Sequence, residues 1–287
     1  MKANKEFKNL SNDFWGNVQF ISDRLGYSER NSGNLLNYSK ETIHNLFKNN
    51  KLIIDDNMLD RVVAYLKYRK NVLTNKVKPY LMDINESKKK FNELKERYSN
   101  EKFQSPQPMN KQRGDKKDYN YFTCAINLLT EHVVNKFNKE YSLQISCDYD
   151  PQHLTCLIED KKIKSAYSRR FDGAIPSVLN PMAIWEIKEY YYTTTFGSRI
   201  ADGIYETRLD GYEIKDTDGK KPTHYFMIDG YSTWWEQGKP YLCRIIDSLN
   251  KGLVDEVIFG KEIYDVWSQR ITQTCQSIIS DDHKDNN

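Results

Sequence analysis

Apolar positions in the first hundred residues recur at helical intervals. In "DDNMLDRVVAYLKYRKNVL", Leu59, Val62, Val63, Leu66 and Leu73 share one helical face, and Asp55 or Asp56 is placed to cap the helix they predict. "DINESKKKFNELKERYSNEKF" carries only a thin stripe, Ile84, Phe91, Leu94 and Tyr98, on an otherwise charged surface, the pattern of a connector or coiled arm. Upstream, "VQFISDRLGYSERNSGNLLNYSKETIHNLFKNN" has the outline of a helix-turn-helix: a helix ending near Leu25 and Gly26, a polar loop, and a second helix capped by Ser39. Its polar face would carry Lys40, Glu41, His44, Asn45 and Lys48, side chains suited to base edges and phosphates. A small helical bundle used for dimerisation or as a lid fits the same pattern.

The pattern changes after "SPQPMNKQRGDKKD", residues 105–118, whose prolines, glycine and charges make it the best linker in the chain. A helix, "YNYFTCAINLLTEHVVNKF", is followed by β-like runs at "YSLQISC", "HLTCLIE", "AIWEIKEYY", "THYFMIDG" and "DEVIF". Helical stretches near 197–212 and 239–252 separate the last three. Strands alternating with helices predict an α/β (α+β) fold with a partly parallel sheet and helices packed on it. The expected layout is a helical, basic region over 1–104, the linker, a core over 119–275 and a disordered tail over 276–287.

Net charge is only +3 over 287 residues, but it is unevenly placed. Residues 1–118 hold 24 Lys and Arg against 15 Asp and Glu, and residues 119–287 hold 19 against 25. A basic half attracts phosphates and a carboxylate-rich half can hold metal ions, a division that suits an enzyme acting on nucleic acid. Five scattered cysteines, with no C-x-x-C pair and no His at ligand spacing, predict reduced thiols and no structural zinc. No apolar run could span a bilayer or serve as a secretion signal, so a cytoplasmic protein with no membrane partner is expected. There is no G-x-x-x-x-G-K-[ST] loop for a nucleotide.

Acid-x-Lys tripeptides are common here; Glu6 to Lys8, Glu86 to Lys88, Glu93 to Lys95 and Glu159 to Lys161 all match. Context singles out "NPMAIWEIKEYY". In a strand, residues i and i+2 point to one face, so Glu186 and Lys188 would project together, flanked by Ile184, Trp185 and Ile187. Charges set in an apolar strand need compensation by a metal ion, a partner charge or a site open to substrate. Asp172 in "RRFDGAIP" stands at a plausible strand end followed by a Gly turn, and pairing of the two strands would bring it beside Glu186. Two carboxylates and a Lys meet the needs of Mg²⁺-dependent phosphodiester hydrolysis. Asp172, Glu186 and the backbone carbonyl of Ile187 would be ligands, and Lys188 the catalytic ammonium. The second "EIK", Glu213 to Lys215, is expected in a solvated loop after a helix.

This order of helix, strand with "FDG", strand with "EIK", helix, strand, helix and strand resembles the PD-(D/E)xK nuclease superfamily over residues 119–262, and its wording is most similar to type II restriction endonucleases. The resemblance implies a restriction-endonuclease-like fold, a mixed β-sheet flanked by helices, here after an N-terminal all-helical region. Asp172, Glu186 and Lys188 fall on the superfamily's two acids and lysine; Phe171 stands where a Pro would precede the first acid. The implied activity is sequence-specific, Mg²⁺-dependent cleavage of double-stranded DNA by a homodimer, with a cognate methyltransferase protecting host DNA. A nuclease without sequence preference, acting in phage defence or repair, and a non-catalytic DNA-binding regulator are the other readings. Many superfamily members have a metal-holding acid on the helix before the sheet; Glu131 occupies that place, where an exposed helical Glu fits equally. Arg199 at the start of the next helix is a candidate phosphate contact. The run Tyr190 to Thr195 is either ordinary strand or a set of hydroxyls aimed at phosphates. Asp202, Glu206 and Asp210, one turn apart, are expected on a solvated face.

Overall fold

The computed structural model describes residues 1–8, 10–29, 33–110, 118–192 and 197–285. Three helices open the chain: α1 (Asn12–Leu25), α2 (Lys40–Asn49) and α3 (Asp56–Val72). The Ser39 hydroxyl accepts from Thr42 N at 3.1 Å and the Asp55 carboxylate from Met58 N at 2.8 Å, so both helices start where the caps predicted. Phe14, Trp15, Val18, Ile21, Ile43, Phe47, Leu59, Val62, Tyr65 and Leu66 form the core between them.

The charged stretch expected to be an arm is α4 (Ile84–Arg97), and it is packed, not projecting. Phe91 and Leu94 are buried against α5 (Tyr121–Tyr141) in the same core as the sheet, because a thin stripe is enough to cover one helix. α4 therefore belongs with the sheet rather than with α1 to α3. The expected linker is also tied down on its described side. Asn127 Nδ2 donates to Pro106 O at 2.8 Å, and Asn110 N to Asp118 O at 2.7 Å. Residues 111–117 of it lie outside the described residues.

The strands are β1 (Asp148–Tyr149), β2 (Cys156–Glu159), β3 (Lys162–Ala166), β4 (Gly173–Ile175), β5 (Ala183–Glu189), β6 (Thr223–Asp229) and β7 (Glu256–Phe259), with α6 (Ser198–Asp216), α7 (Lys239–Asn250) and α8 (Ile263–Asp285). Five of them form one mixed sheet in the order β1-β4-β5-β6-β7, and β2 and β3 pair as a separate hairpin. β4 pairs antiparallel with both β1 and β5, whereas β5, β6 and β7 are parallel. The α6 and α7 crossovers supply the return paths that parallel pairing requires. α4, α5 and α8 cover one face, where Trp185, Tyr225 and Met227 are buried; α7 and the start of α6 cover the other, over Phe226, Ile228, Val257 and Phe259. β5 is thus the central strand, buried on both faces.

Several local expectations are corrected. "YSLQISC" forms no strand before Asp148, because the Asn138 side chain satisfies both the N–H and the carbonyl of Ile145, at 2.9 and 2.8 Å. The tail expected to be disordered continues α8 to Asp285, held by Ile278 and Ile279 against the core. The second "EIK" lies inside α6, which runs past residue 212 because Ile214 is buried and Gly211 packs against Leu253. β3 escaped notice because four of its five residues are exposed, so it shows no apolar alternation. All five cysteines are free thiols. Among the described residues no helix is long and apolar enough to cross a membrane.

α1 to α3 join the rest through a buried ion pair. Arg69 on α3 donates from Nη1 to both oxygens of Asp247 on α7 at 3.1 Å, Tyr65 donates to the same carboxylate at 2.6 Å, and Arg69 Nη2 donates to Ser22 Oγ at 3.1 Å.

Candidate functional site

The site begins with the register of β4 on β5. Gly173 lies opposite Trp185, which places Asp172 opposite Glu186. A Cβ at Gly173 would stand 2.1 Å from the Trp185 ring, so only glycine lets the strands approach this closely. Gly173→Ala is expected to cost about 1–3 kcal/mol of stability by overpacking. Thermal melting, with the near-ultraviolet dichroism of Trp185 as the local readout, checks this.

Asp172 N donates to Trp185 O at 3.0 Å, and its Oδ2 accepts from Ile187 N at 2.6 Å. Its other oxygen takes no hydrogen bond among the described residues. Burial first, then the charge of Glu186, pushes the Asp172 carboxyl up to about 7. Ile187 lies beyond Gly173, the first β4 residue, and strand geometry turns its carbonyl to the same edge as its N–H.

Glu186 is buried, 2 % exposed, and shares its carboxylate with two cations. Arg169 grips it with both terminal nitrogens, Nη1 to Oε2 at 3.2 Å and Nη2 to Oε1 at 2.9 Å, and Lys188 Nζ donates to Oε1 as well. Burial alone would raise the Glu186 carboxyl, but Lys188 and Arg169 outweigh it and hold the group below its ordinary value. The same balance keeps Lys188 protonated: burial works against its charge, and Glu186 more than offsets it. Gly203 on α6 leaves room for the Lys188 stem, since a Cβ there would lie 2.8 Å from Cε.

α6 contributes what the sequence reading put on a solvated face. Glu206 Oε2 accepts from Arg169 Nη2 at 3.2 Å and from Lys188 Nζ at 3.4 Å, and Asp210 Oδ2 accepts from Arg169 Nη1 at 2.8 Å. Asp210 is fully buried, its second oxygen has no partner among the described residues, and burial followed by the field of Arg169 and Glu186 leaves its carboxyl at about 7. Helical phase correctly put 202, 206 and 210 on one face. Which face meets the sheet is set by the crossover, and Asp202 alone of the three is exposed.

A cleft of about 540 Å³ opens beside these groups, lined by Asp172, Ile187, Lys188, Asp202 and Glu206 on one side and by Asn120, Thr123 and Asn127 of the α5 start on the other. Its two walls are fastened at Glu189, the last residue of β5. That buried carboxylate accepts from Phe122 N at 3.3 Å and from Thr123 N and Oγ1 at 2.9 and 2.8 Å, capping α5 from the strand. Burial pushes the Glu189 carboxyl up to about 7 against the pull of these donors.

Glu131 stands elsewhere. Its carboxylate accepts from Gln104 N at 2.8 Å and Ser105 N at 2.7 Å, anchoring the segment that leads into α5. Thr123 and Asn127, earlier on α5, are the residues of that helix that line the cleft. Lys40, His44, Asn45 and Lys48 are exposed on α2, and Lys40 pairs with Asp60. Arg199 lies in the first turn of α6 with its side chain outside the described residues, as are Thr193 to Thr195. The Tyr191 hydroxyl is taken by Asp229 and by Ser87 Oγ at 2.7 Å, and that of Tyr192 donates to Asp118 at 3.3 Å, so these two face protein acids. Arg169 was missed altogether. Only its position three residues before Asp172 hinted at it, and its neighbour Arg170 donates instead to Gln152 at 2.7 Å.

Among the described residues no three His, Cys, Asp or Glu side chains stand together as a group that could hold a metal ion. At the cleft, Asp172 keeps one oxygen without a hydrogen bond among the described residues, and Glu186 is engaged behind it.

Residues 1–76 match the model of a domain of unknown function (DUF7690), and residues 82–275 match that of another (DUF7687). The two matches divide between residues 76 and 82, so α4 falls with the sheet, as its packing does. No curated protein and no solved structure matches the chain. The longer match takes in the whole sheet and the Arg169, Glu186 and Lys188 cluster and spans more than half of the sequence, and the chain belongs to the DUF7687 family.

Proposed function

We propose that this chain is a Mg²⁺-dependent endonuclease that hydrolyses phosphodiester bonds in double-stranded DNA, a type II restriction enzyme of the PD-(D/E)xK kind. The observation that carries the proposal is the meeting of Asp172, Glu186 and Lys188 on adjacent strands beside an open cleft. The order of elements around them supports it: an antiparallel β4–β5 pair, then a helical crossover to the parallel β6.

The residues fit Mg²⁺ in donor chemistry. The ion takes a few hard oxygen ligands and keeps several waters, and Asp172, the Ile187 carbonyl and Glu186 offer such oxygens. Burial first, and Glu186 second, raise the Asp172 carboxyl, and a bound cation would favour its charged form. These three groups would hold the ion, which when bound supplies a polarised phosphate and an activated water. Lys188 projects beside them, fixed by Glu186 and Glu206, where its ammonium offsets negative charge developing on a phosphate. Lys40, His44, Asn45, Lys48 and Arg199 are the proposed contacts to DNA.

Plasmid or phage DNA incubated with the purified chain and Mg²⁺ tests this. Discrete fragments identify a restriction enzyme, whose host DNA a methyltransferase would protect. A smear identifies a nuclease without sequence preference, and binding without cutting leaves the regulator.

Cutting both strands with one site per chain calls for two copies. The exposed face of α6 fits a second copy: Tyr205, Leu209 and Tyr212 form an apolar stripe, and antiparallel pairing of α6 about its midpoint sets Tyr205 against Tyr212 and Asp202 against Lys215 of the other molecule. Leu209→Asp is expected to convert dimers to monomers in sedimentation. A dimer that survives it rules out this face.

A further inference from the structure

We propose that Arg169 is a positioning residue that governs how readily Glu186 is released to a divalent cation. The inference rests on the metal-site reading of Asp172 and Glu186. Both Glu186 oxygens are occupied, one by Arg169 alone and the other by Arg169 and Lys188. Three of the roughly four lone-pair sites of Glu186 are taken, so a cation that coordinates it competes with these contacts. A two-pronged guanidinium grip on a buried carboxylate is the harder of the two to displace, because its planar fork holds both oxygens in one geometry.

α6 gives the displaced cations somewhere to go. Arg169 already reaches Asp210 at 2.8 Å and Glu206 at 3.2 Å, and Lys188 reaches Glu206 at 3.4 Å. Each keeps a carboxylate partner when Glu186 is given up, so no buried charge is left bare. The second oxygen of Asp210, without a partner among the described residues, is a further acceptor on the carboxylate that Arg169 already contacts. Arg169 thus holds Glu186 aimed into the site when no ion is present and yields it when one arrives.

Mn²⁺ titrated into the full-length chain, with the free ion followed by its paramagnetic resonance, tests this without any turnover. Arg169→Lys keeps the charge and loses the fork, and is expected to bind Mn²⁺ several-fold more tightly. Arg169→Gln removes the grip and is expected to gain roughly tenfold or more, the worth of one charge-assisted hydrogen bond. Arg170→Gln, which removes a neighbouring charge with no contact to Glu186, is expected to bind like the wild type. Should Arg169→Gln fold poorly with Asp210 left unpaired, the pair Arg169→Gln with Asp210→Asn removes both charges and carries the same expectation. Unchanged or weaker binding by Arg169→Lys, or an equal gain in Arg170→Gln, overturns the role of Arg169 while leaving the metal site standing. A wild-type chain that binds no Mn²⁺ overturns the metal site and this inference with it.

Discussion

Asp172→Asn is expected to leave a folded protein that no longer cuts DNA, with cleavage reduced at least roughly 10²–10³-fold, the scale for removing one preorganised electrostatic partner of a reaction. The substitution preserves shape and an oxygen that can accept from Ile187 N, and removes the negative charge facing the cleft. Its effect on stability has the opposite sign. The Asp172 carboxyl titrates near 3.8 in an unfolded chain and about 7 in the fold, so the folded state binds the proton more tightly. What that proton contributes to stability is complete below pH 4 and is lost as the pH rises through about 7. At pH 8 in EDTA, Asp172→Asn is therefore expected to melt at a higher temperature than the wild type, and at pH 4 to melt alike. A variant equally active, or one less stable at pH 8, would contradict the role given to this residue. Glu186→Gln and Lys188→Ala are expected to lose cleavage on the same scale.

Asp247→Ala is expected to be among the most damaging substitutions away from the cleft, at about 3–5 kcal/mol, because it strands a buried guanidinium. Asp247 and Arg69 are both nearly inaccessible, with side-chain exposures of 6 % and 4 %. The carboxylate also receives the Tyr65 hydroxyl, so the loss falls on the aromatic core of α1 to α3 as well as on their junction with α7. Urea denaturation measures the cost. Replacing both partners, with Arg69→Met and Asp247→Leu, is expected to recover most of it, since the penalty lies in the uncompensated charge and not in the lost attraction. A double variant as unstable as Asp247→Ala would show that the pair itself is indispensable.

The parts of the site legible in the sequence are those governed by short-range periodicity. A strand repeats every two residues, so Glu186 and Lys188 had to share a face, and the Asp-Gly step before β4 put a third charge within one strand pairing of them. Ser39 and Asp55 were legible as caps for the same local reason. What the sequence did not reveal depends on how elements meet. Nothing local distinguishes Arg169, which enters the cluster, from Arg170, which turns out to Gln152. Glu206 and Asp210 have a helical phase but no indication of which side the α6 crossover turns toward β5. Glu131 was given a place by analogy, and the backbone of residues 104 and 105 claims it.

The bond from Glu189 to the start of α5 carries a mechanical consequence. One jaw of the cleft is cast in a piece with the strand that bears Glu186 and Lys188, three residues at most from the reacting groups, and has no hinge between them. On the nuclease reading, widening to admit a duplex backbone would then come from α6. The molecule would grip its substrate like a vice with one fixed plate, and the alignment of Lys188 would survive every opening.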